Sequence, residues 1–571
     1  MRRKINIMLL TLLCIFGSSM MLAQSTTGTI QGQVTDPANA AIISAPITAT
    51  NTLTGETHST TTNSQGQYVI PNLPVGVYRV ESQATGFKHT VRDGVTLSVN
   101  QEARVDLALE LGKSSESVEV HADTVQVNTY TPELGELVNQ KDVEDLPLNG
   151  RNVYNLLVAL PGVSNINAEV VPSRDNSTFV INAGRQTTNS CFIDGGFNND
   201  IWRNQCSTPP NPDAVQEFRL LSSNSDVEFG RMPGAFMNII TKSGTNSFHG
   251  SAYEFLRNND LDAKTYFNSS VTRLDQNQFG FTAGGPVLKN RVFMFGSWEK
   301  LKQINPAFIN EIPVPTAAER TGIFTSAGRA PNTPEPIDPN TGNPFPGDNI
   351  FSDVTLGTGD AVGKAIVNAI PAGTNSDGTY NAIANANADV WQYLLKGDYQ
   401  FTKNQRFTVS WFKMNSAQNN PFAYYNEFPG FGERVDGAIQ HNFVVNHTWT
   451  HNNIYNEARF NMMRRTTPWN IIDGKTLAEY GSDVVQGALT DDPKPVPFRM
   501  SVSGRFNTGC WDAAGHDHSI GGSDTVSWIK GKHNIKLGSF VMWGFYAETG
   551  ASNGDVRSKR TAVSPATLWR T

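Results

Sequence analysis

Beyond Phe248 the chain repeats one arrangement: a long strand of alternating polarity, a tight polar turn, a second such strand, then a long irregular loop. "QFGFTAGGPVL" meets "FMFGSWEKL" across Lys289-Asn290, and "YLLKGDYQF" meets "FTVSWFKM" across Lys403-Asn404. "IQHNFVVNHTWTH" meets "IYNEARFNMM" near Asn452-Asn453, and "SDTVSWI" meets "HNIKLGSFVMWGF" across Gly531-Lys532. Phe407, Val409 and Trp411 alternate with Arg406, Thr408 and Ser410, and Ile535, Leu537, Val541, Trp543 and Phe545 repeat the pattern. Runs of about ten residues exceed the usual five or six of a soluble strand and suit a tilted bilayer crossing. The turns are short on one side. The loops on the other are long, the longest predicted from about Gln303 to Asp389. That asymmetry is the organisation of an antiparallel transmembrane β-barrel.

Charge and hydropathy agree with this. Charged residues make up 17% of the 571 positions and the net charge is −7, which argues against nucleic-acid partners. After residue 23 no apolar run of about 18 residues offers a membrane helix, a test that does not touch barrels. Arg2, Arg3 and Lys4 followed by the apolar Ile5 to Phe16 and by Leu22-Ala23 read as a secretory signal over 1–23. Of the cysteines that follow it, Cys191 and Cys206 can close a loop of about 16 residues in an oxidising compartment, worth roughly 3 kcal/mol in the chain-entropy model. Cys510 is then left over.

Residues 28–111 carry short strands separated by turns such as Asn63-Ser64-Gln65-Gly66 and Pro74-Val75-Gly76, the pattern of a small β-sandwich. The run "GQVTD…APITATN…TGE…TTTNSQGQYVIPNLPVGVYRVESQATGF" resembles the carboxypeptidase regulatory-like domain, a transthyretin-like, Ig-like sandwich grouped with the carbohydrate-binding-like fold. The resemblance implies a docking or spacer module and brings no peptidase.

A linker over 112–127 follows, with "SESVEVHADT" at its centre. Alternating Val118 and Val120 about Glu119 resemble a TonB box, the strand lent to the periplasmic energy-coupling protein TonB; one more strand between two domains is the alternative. From 128 to 246 the texture is α/β. "LVNQKDVEDLPLNGRNVYNLLVALPGV" predicts two short helical stretches, and "FVINAGRQTTNSCFIDGGFNND" two strands joined by a polar turn. "DAVQEF", "EFGR", "GAFMNIITKSGTN" and "FHGSAYEFLRN" resemble the plug and plug–barrel junction of TonB-dependent receptors, more narrowly of the Oar-like type. On that resemblance, Lys242, Ser243, Gly244, Thr245 and Asn246 form the hinge into a barrel over 247–571, and Tyr253 and Phe255 begin its lipid-facing alternation.

The resemblance implies an outer-membrane receptor of a Gram-negative bacterium, with the sandwich in the periplasm. It would be surrounded by lipid and partnered by TonB, and would take up a scarce solute: an iron chelate, cobalamin or an oligosaccharide. The alternative it leaves open is an Oar-like adhesion or structural protein without transport. About nine strands are counted, against about 22 in plug-holding transporters, so the chain reads as the N-terminal part of a barrel. No catalytic, metal or cofactor site is assigned. Ser297-Trp298-Glu299-Lys300 has acylase spacing but lies on a strand. His516 and His518 beside Asp512 and Asp517 read as loop residues, with metal contact as the alternative. Asp194, Asn198, Asn199 and Asp200 read as turn chemistry about Gly195-Gly196 rather than a calcium loop.

Overall fold

The computed structural model describes residues 26–112, 117–121, 134–146, 148–167, 171–172, 177–223, 234–264, 271, 273–328, 335–338, 341–352, 361–423, 426–476, 478–481, 499–502, 505–510, 512–530, 533–551 and 561–563. The signal segment, much of the linker and the Gly531-Lys532 turn lie outside them.

The first module is a two-layer sandwich. One sheet holds β1 (Gly28–Thr35), β4 (Gln67–Leu73), β7 (Glu102–Arg104) and β8 (Leu107–Ala108), with β1 at its centre. The other runs β3 (Thr57–Thr61), β2 (Pro46–Asn51), β5 (Gly76–Ser82), β6 (His89–Leu97), β9 (Ser117–His121). The burial of Ile30, Val34, Ile47, Ile70, Tyr78 and Val80 between the layers follows their alternation along the strands. Tyr78 donates its hydroxyl to the Pro74 carbonyl at 2.8 Å and Tyr68 to Val105 at 2.6 Å, so both large rings are buried without an orphaned oxygen.

The second module is a five-stranded sheet ordered β10 (Leu134–Val138), β15 (Val215–Ser223), β16 (Phe236–Thr241), β13 (Ser190–Ile193), β14 (Gly196–Phe197). α1 (Gln140–Asp145) and a 3-10 segment over Val153–Ala159 cover it, burying Val143, Val153, Leu156 and Leu157. Every residue of β16 is buried, as "FMNIIT" demands of a central strand. The two strands expected in "FVINAGRQTTNSCFIDGGFNND" are both present, but they do not share a sheet. β12 (Thr178–Ile181) does not pair with β13. It joins β11 (Val163–Asn167) in a separate two-stranded sheet, because the connecting Gln186–Thr188 turn is helical and redirects the chain.

The wall of the molecule is one antiparallel sheet in strictly sequential order: β17 (His249–Asn258), β18 (Asp275–Leu288), β19 (Val292–Pro313), β20 (Thr379–Thr402), β21 (Gln405–Asn420), β22 (Arg434–His451), β23 (Ile454–Ile471), β26 (Asp512–Lys530), β27 (His533–Ala551) and β28 (Thr561–Val563). The short hairpin of β24 (Met500–Val502) and β25 (Phe506–Thr508) stands outside it. Nine of the sheet's strands match the sequence count, and β28 is a tenth among the described residues. The loop predicted from Gln303 to Asp389 is shorter than expected. β19 and β20 stay paired from Gln303↔Ala388 as far as Pro313↔Thr379. "INPAFINEIP" keeps strand alternation although its polarity no longer marks a membrane face, which hid it from a hydropathy reading. β20, at 24 residues, is about twice the 9–11 that cross a bilayer, so the hairpin projects far past it.

The two faces of this wall are inverted relative to a soluble sheet. Phe281, Met294, Leu395, Phe407, Val409, Trp411, Leu537 and Trp543 are exposed on the outside. Gln278, Glu299, Lys396, Asp398, Gln440, Asn442, Arg459 and Asp517 are buried on the inside. Outward aromatics lie close to the tight turns (Tyr399, Phe401, Trp449, Trp528) and again roughly ten residues along (Trp298, Trp391, Trp543), the two girdles of a bilayer-spanning wall. The plug-like sheet sits against the polar inside.

Candidate functional site

The chemistry of the molecule is concentrated where the second module meets the wall. β13 and β14 form a hairpin whose Asp194-Gly195 tip has φ of 49° and 74°, the two positive values a tight hairpin turn needs. This tip is driven into the wall. Lys396 Nζ donates to Asp194 Oδ1 at 3.1 Å and to the Thr241 carbonyl at 2.9 Å. Thr241 contributes its own N–H (3.0 Å) and hydroxyl (2.7 Å) to the same carboxylate. Arg459 reaches the Gly195 carbonyl at 3.3 Å, and Asn446 the Asp194 carbonyl at 3.3 Å. A Cβ on Gly195 would lie 2.4 Å from Arg459 Cζ, so the guanidinium can cross the tip only because residue 195 is glycine.

Further along, Asn198 accepts from Gln440 (2.9 Å) and Asn442 (3.0 Å) of the wall, while Asn199 accepts the Cys191 N–H at 2.7 Å and Asp200 the Arg203 N–H at 2.5 Å. The Asp194–Asp200 cluster is thus architectural, each member engaged by protein donors. Cys191 and Cys206 are joined by a disulfide, with Cα atoms 5.6 Å apart. Cys510 is buried and accepts from Arg434 at 3.5 Å.

A second anchor gathers on Glu299. Arg151 of the plug-like module donates to it at 3.2 Å, and Tyr253 (3.0 Å), Gln278 (3.1 Å) and Gln392 (2.9 Å) complete its shell. The Arg151 guanidinium also lies over Tyr253 and Phe255, 4.5 and 4.3 Å from their centroids. This corrects the sequence reading. Tyr253 and Phe255 share the inward face of β17, opposite Gly280 and the buried Gln278, and meet the Arg151 guanidinium rather than lipid. Alternation alone could not say which face was which.

The sandwich closes the turn side of the same interface. Arg406 bridges Asp398 (2.7 Å) and Glu56 (3.1 Å), and Thr26 donates to Glu457 at 3.1 Å. Burial pushes the Glu56 carboxyl up, but the Arg406 charge and the His58 hydrogen bond outweigh it and hold the group below its ordinary value. Where the sandwich meets the second module, Glu217 accepts the Val99 N–H at 2.5 Å and Arg219 donates to the Val99 carbonyl at 2.9 Å. Burial there prevails, and Glu217 is pushed up to about 7.

The remaining residues singled out from sequence lie as follows. In the 242–246 connection, Lys242 pairs with Glu144 at 2.5 Å, and Gly244 passes so close to the wall that a Cβ would meet Met294 O at 2.4 Å. Asn246 bonds Leu53 and Thr54 of the sandwich and Asn290 of the first wall turn. The segment is thus clamped on three sides. Val118, Glu119 and Val120 lie in β9, paired in parallel with Thr90–Arg92 of β6 at an edge of the sandwich. His516 and His518 are on β26 rather than in a loop. They face away from Asp517, whose side chain is buried on the inside, so these residues cannot converge on one ion. Among the described residues no cluster of three or more metal-ligating groups occurs. Ser297 and Lys300 point to opposite faces of β19, which dissolves the acylase spacing.

The anchoring roles of Lys396, Arg151, Glu299 and Arg406 were not read from the sequence. A signal was present: Lys396 and Asp398 occupy the positions of β20 that alternate with Leu395 and Tyr399, a charged row behind an apolar one.

Comparison with known proteins follows this division. Residues 240–563 match the outer membrane β-barrel domain family, and residues 29–110 match the carboxypeptidase regulatory-like domain. The chain belongs to the outer-membrane β-barrel family. It is 29% identical over 303 residues to the TonB-dependent transporter Oar of Myxococcus xanthus, covering 50% of this chain and 27% of that one. It is 24% identical over 241 residues to the probable TonB-dependent siderophore receptor PirA of Acinetobacter baumannii, covering 39% of this chain and 30% of that one. The chain therefore spans less than a third of the length of these relatives. Solved structures that resemble it include the outer membrane transporter YddB of Escherichia coli (TM-score 0.44, 11% identity, 74% of this chain and 50% of that one). The siderophore receptor PirA of A. baumannii is another (TM-score 0.42, 13% identity, 75% and 50%). This barrel-family protein is an Oar homologue of the Gram-negative outer membrane, with a partial barrel wall, a plug-like sheet and a regulatory-like sandwich.

Proposed function

We propose that the protein is a TonB-dependent uptake receptor in which the 128–246 module is a plug, released from the lumen by pulling from the periplasm. The observation that carries this reading is the Asp194–Lys396 contact. A folded sheet is held inside the wall by a few buried ionic anchors, beside an apolar contact of Ile193 and Ala214 with Phe295, Leu394 and Phe412. Such anchors are strong while intact, yet can be exchanged for water when displaced. No covalent chemistry is required of any residue. The names of the relatives, a TonB-dependent transporter and a probable siderophore receptor, support the same reading.

On this reading the sandwich lies in the periplasm, because its Glu56 pairs with Arg406 beside the tight Lys403-Asn404 turn of the wall. β9, with Val118 to Val120, is the coupling strand. Among the described residues it is the last strand in its sheet, with one edge available for strand addition by TonB. Tension on β9 would then pass through the sandwich to Val99, Glu217 and Arg219.

The test is uptake by cells carrying Val120→Pro, compared with a strain lacking TonB. Loss of solute uptake in both, with surface adhesion unchanged, is the expected result. Uptake that persists in either strain would remove the coupling assignment, and adhesion lost without any uptake phenotype would favour the adhesion alternative.

A further inference from the structure

On the side of the wall opposite the tight turns, three loops fold together, the β21–β22 connection contributing Phe428 and Phe431. The β19–β20 connection supplies α2 (Ala317–Arg320) and α3 (Ala361–Ala369), and the β23–β26 connection supplies the β24–β25 hairpin. α2 is fixed by a capping box between Thr316 and Glu319. Arg320 ties it to α3 by donating to the Ile370 and Pro371 carbonyls at 3.0 and 2.9 Å. Val314, Ile370, Phe428, Phe431 and Phe506 form a common apolar core, so these loops are a built structure.

Beside that core is a cavity of about 370 Å³. Phe324, Ile350, Phe351, Val367, Met500 and Val502 supply apolar walls. Arg320, Lys364 and Arg505 supply cations, against Glu319 as the one carboxylate among the described lining residues. That carboxylate is already engaged by the Thr316 N–H and by Arg505, both at 2.8 Å. The Arg505 side chain is 9% exposed, and its Nε is buried with no hydrogen-bond partner among the described residues. Lys364 Nζ stands 4.9 Å from the Phe351 centroid, at the charged margin of an apolar surface.

We propose that this cavity is a capture site for a small amphipathic anion, an aryl or branched-alkyl carboxylate. The apolar body lies between Phe324, Phe351 and Val502, and the carboxylate meets Arg505 and Lys364. The volume falls at the lower end of the range of small-molecule sites. A bond from the half-buried Lys364 ammonium at the cavity margin to a ligand carboxylate is charge-assisted. A neutral oligosaccharide is disfavoured, since its hydroxyls would be left unpaired against these walls. The proposal rests on the uptake reading only for where the ligand goes next; binding itself needs no energy coupling.

The protein in lipid nanodiscs is titrated with 3-phenylpropionate and with its amide, 3-phenylpropionamide, by calorimetry and saturation-transfer NMR. Saturable binding of the acid, with the amide about tenfold weaker, is the expected result. Val502→Trp fills the cavity and should abolish binding of both. Lys364→Gln, on a partly exposed side chain, should weaken the acid alone while the barrel keeps its heat-modifiable migration on gels. The proposal fails if neither probe binds, if acid and amide bind equally, or if the Trp variant binds like the parent. No binding with TonB-dependent uptake intact overturns the site and spares the uptake reading; binding intact with no TonB-dependent uptake does the reverse.

Discussion

Lys396→Met tests whether the buried ionic anchor holds the plug-like module in place. Lys396 and Asp194 are 7% and 3% exposed, and the ammonium also satisfies the Thr241 carbonyl. Removing it leaves a buried carboxylate without its counter-charge, a change that costs about 3–5 kcal/mol in comparable sites. Asp194 keeps the Thr241 N–H and hydroxyl, at 3.0 and 2.7 Å, which places the expected loss near the lower end, about 3 kcal/mol. At 1.4 kcal/mol per decade, the population with the Asp194-Gly195 tip off the wall rises roughly a hundredfold. Hydrogen exchange at the Ser190–Ile193 and Phe236–Thr241 amides reads that population directly, and entry of a bulky antibiotic into cells reads its consequence. Asp194→Asn in the same background removes the stranded charge, tolerates the positive φ of the tip, and should recover most of the loss. The two single losses should therefore exceed the double by about 2 kcal/mol. Unchanged exchange in Lys396→Met, or strict additivity of the two substitutions, would show that the contact is not an anchor.

Cys191→Ser releases the 191–206 loop and should lower the stability of the plug-like sheet by about 3 kcal/mol, measured by urea titration; reductant should reproduce the loss in the parent and leave the variant unaffected. Gly244→Ala places a Cβ against two backbone oxygens, 2.4 Å from Met294 O and 2.7 Å from Gly285 O. Neither oxygen can swing aside, so the folded fraction on a heat-modifiability gel should fall, and fall further for Gly244→Val. The Glu217 carboxyl, raised to about 7 from an ordinary 4.5, binds a proton in the native state that it would release on unfolding. Its contribution is therefore full below about pH 4.5 and is lost as pH rises through about 7, by up to about 3 kcal/mol. Glu217→Gln should flatten the pH dependence of proteolytic release of the sandwich between pH 5 and 8, and an unchanged slope would mean that Glu217 is not the titrating group.

Much of this architecture is written in short-range pattern. Strand alternation and turn residues such as Lys289-Asn290 and Lys403-Asn404 locate the wall strands, because register in a hairpin is set locally by turn and polarity. The Cys191–Cys206 pairing and the break at 242–246 are local in the same sense. What pattern does not carry is which neighbour a face meets. Tyr253 and Phe255 look like lipid-facing residues until Arg151, about a hundred positions earlier, is brought against them. The same blindness hid the extension of β19 and β20 beyond Gln303 and Ala388, where pairing continues but polarity has ceased to alternate with a membrane.

The missed anchors show why parity carries more information here than hydropathy. In a soluble sheet a Lys or Asp at every second position marks the solvent face, and Lys396 and Asp398 would be unremarkable. In a wall whose outward face carries Leu395 and Tyr399, the same positions must point into the lumen, where a charge is tolerated only with a partner. Each inward charge is therefore a demand for a counter-charge. Lys396 is met by Asp194, Arg406 by Asp398 and Glu56, and Glu299 by Arg151. Three of these four partners lie outside the wall, two in the plug-like module and one in the sandwich. The charges of the lumen thus specify what fills it: a wall sequence of this kind is incomplete as a physical object until the modules that precede it are docked inside.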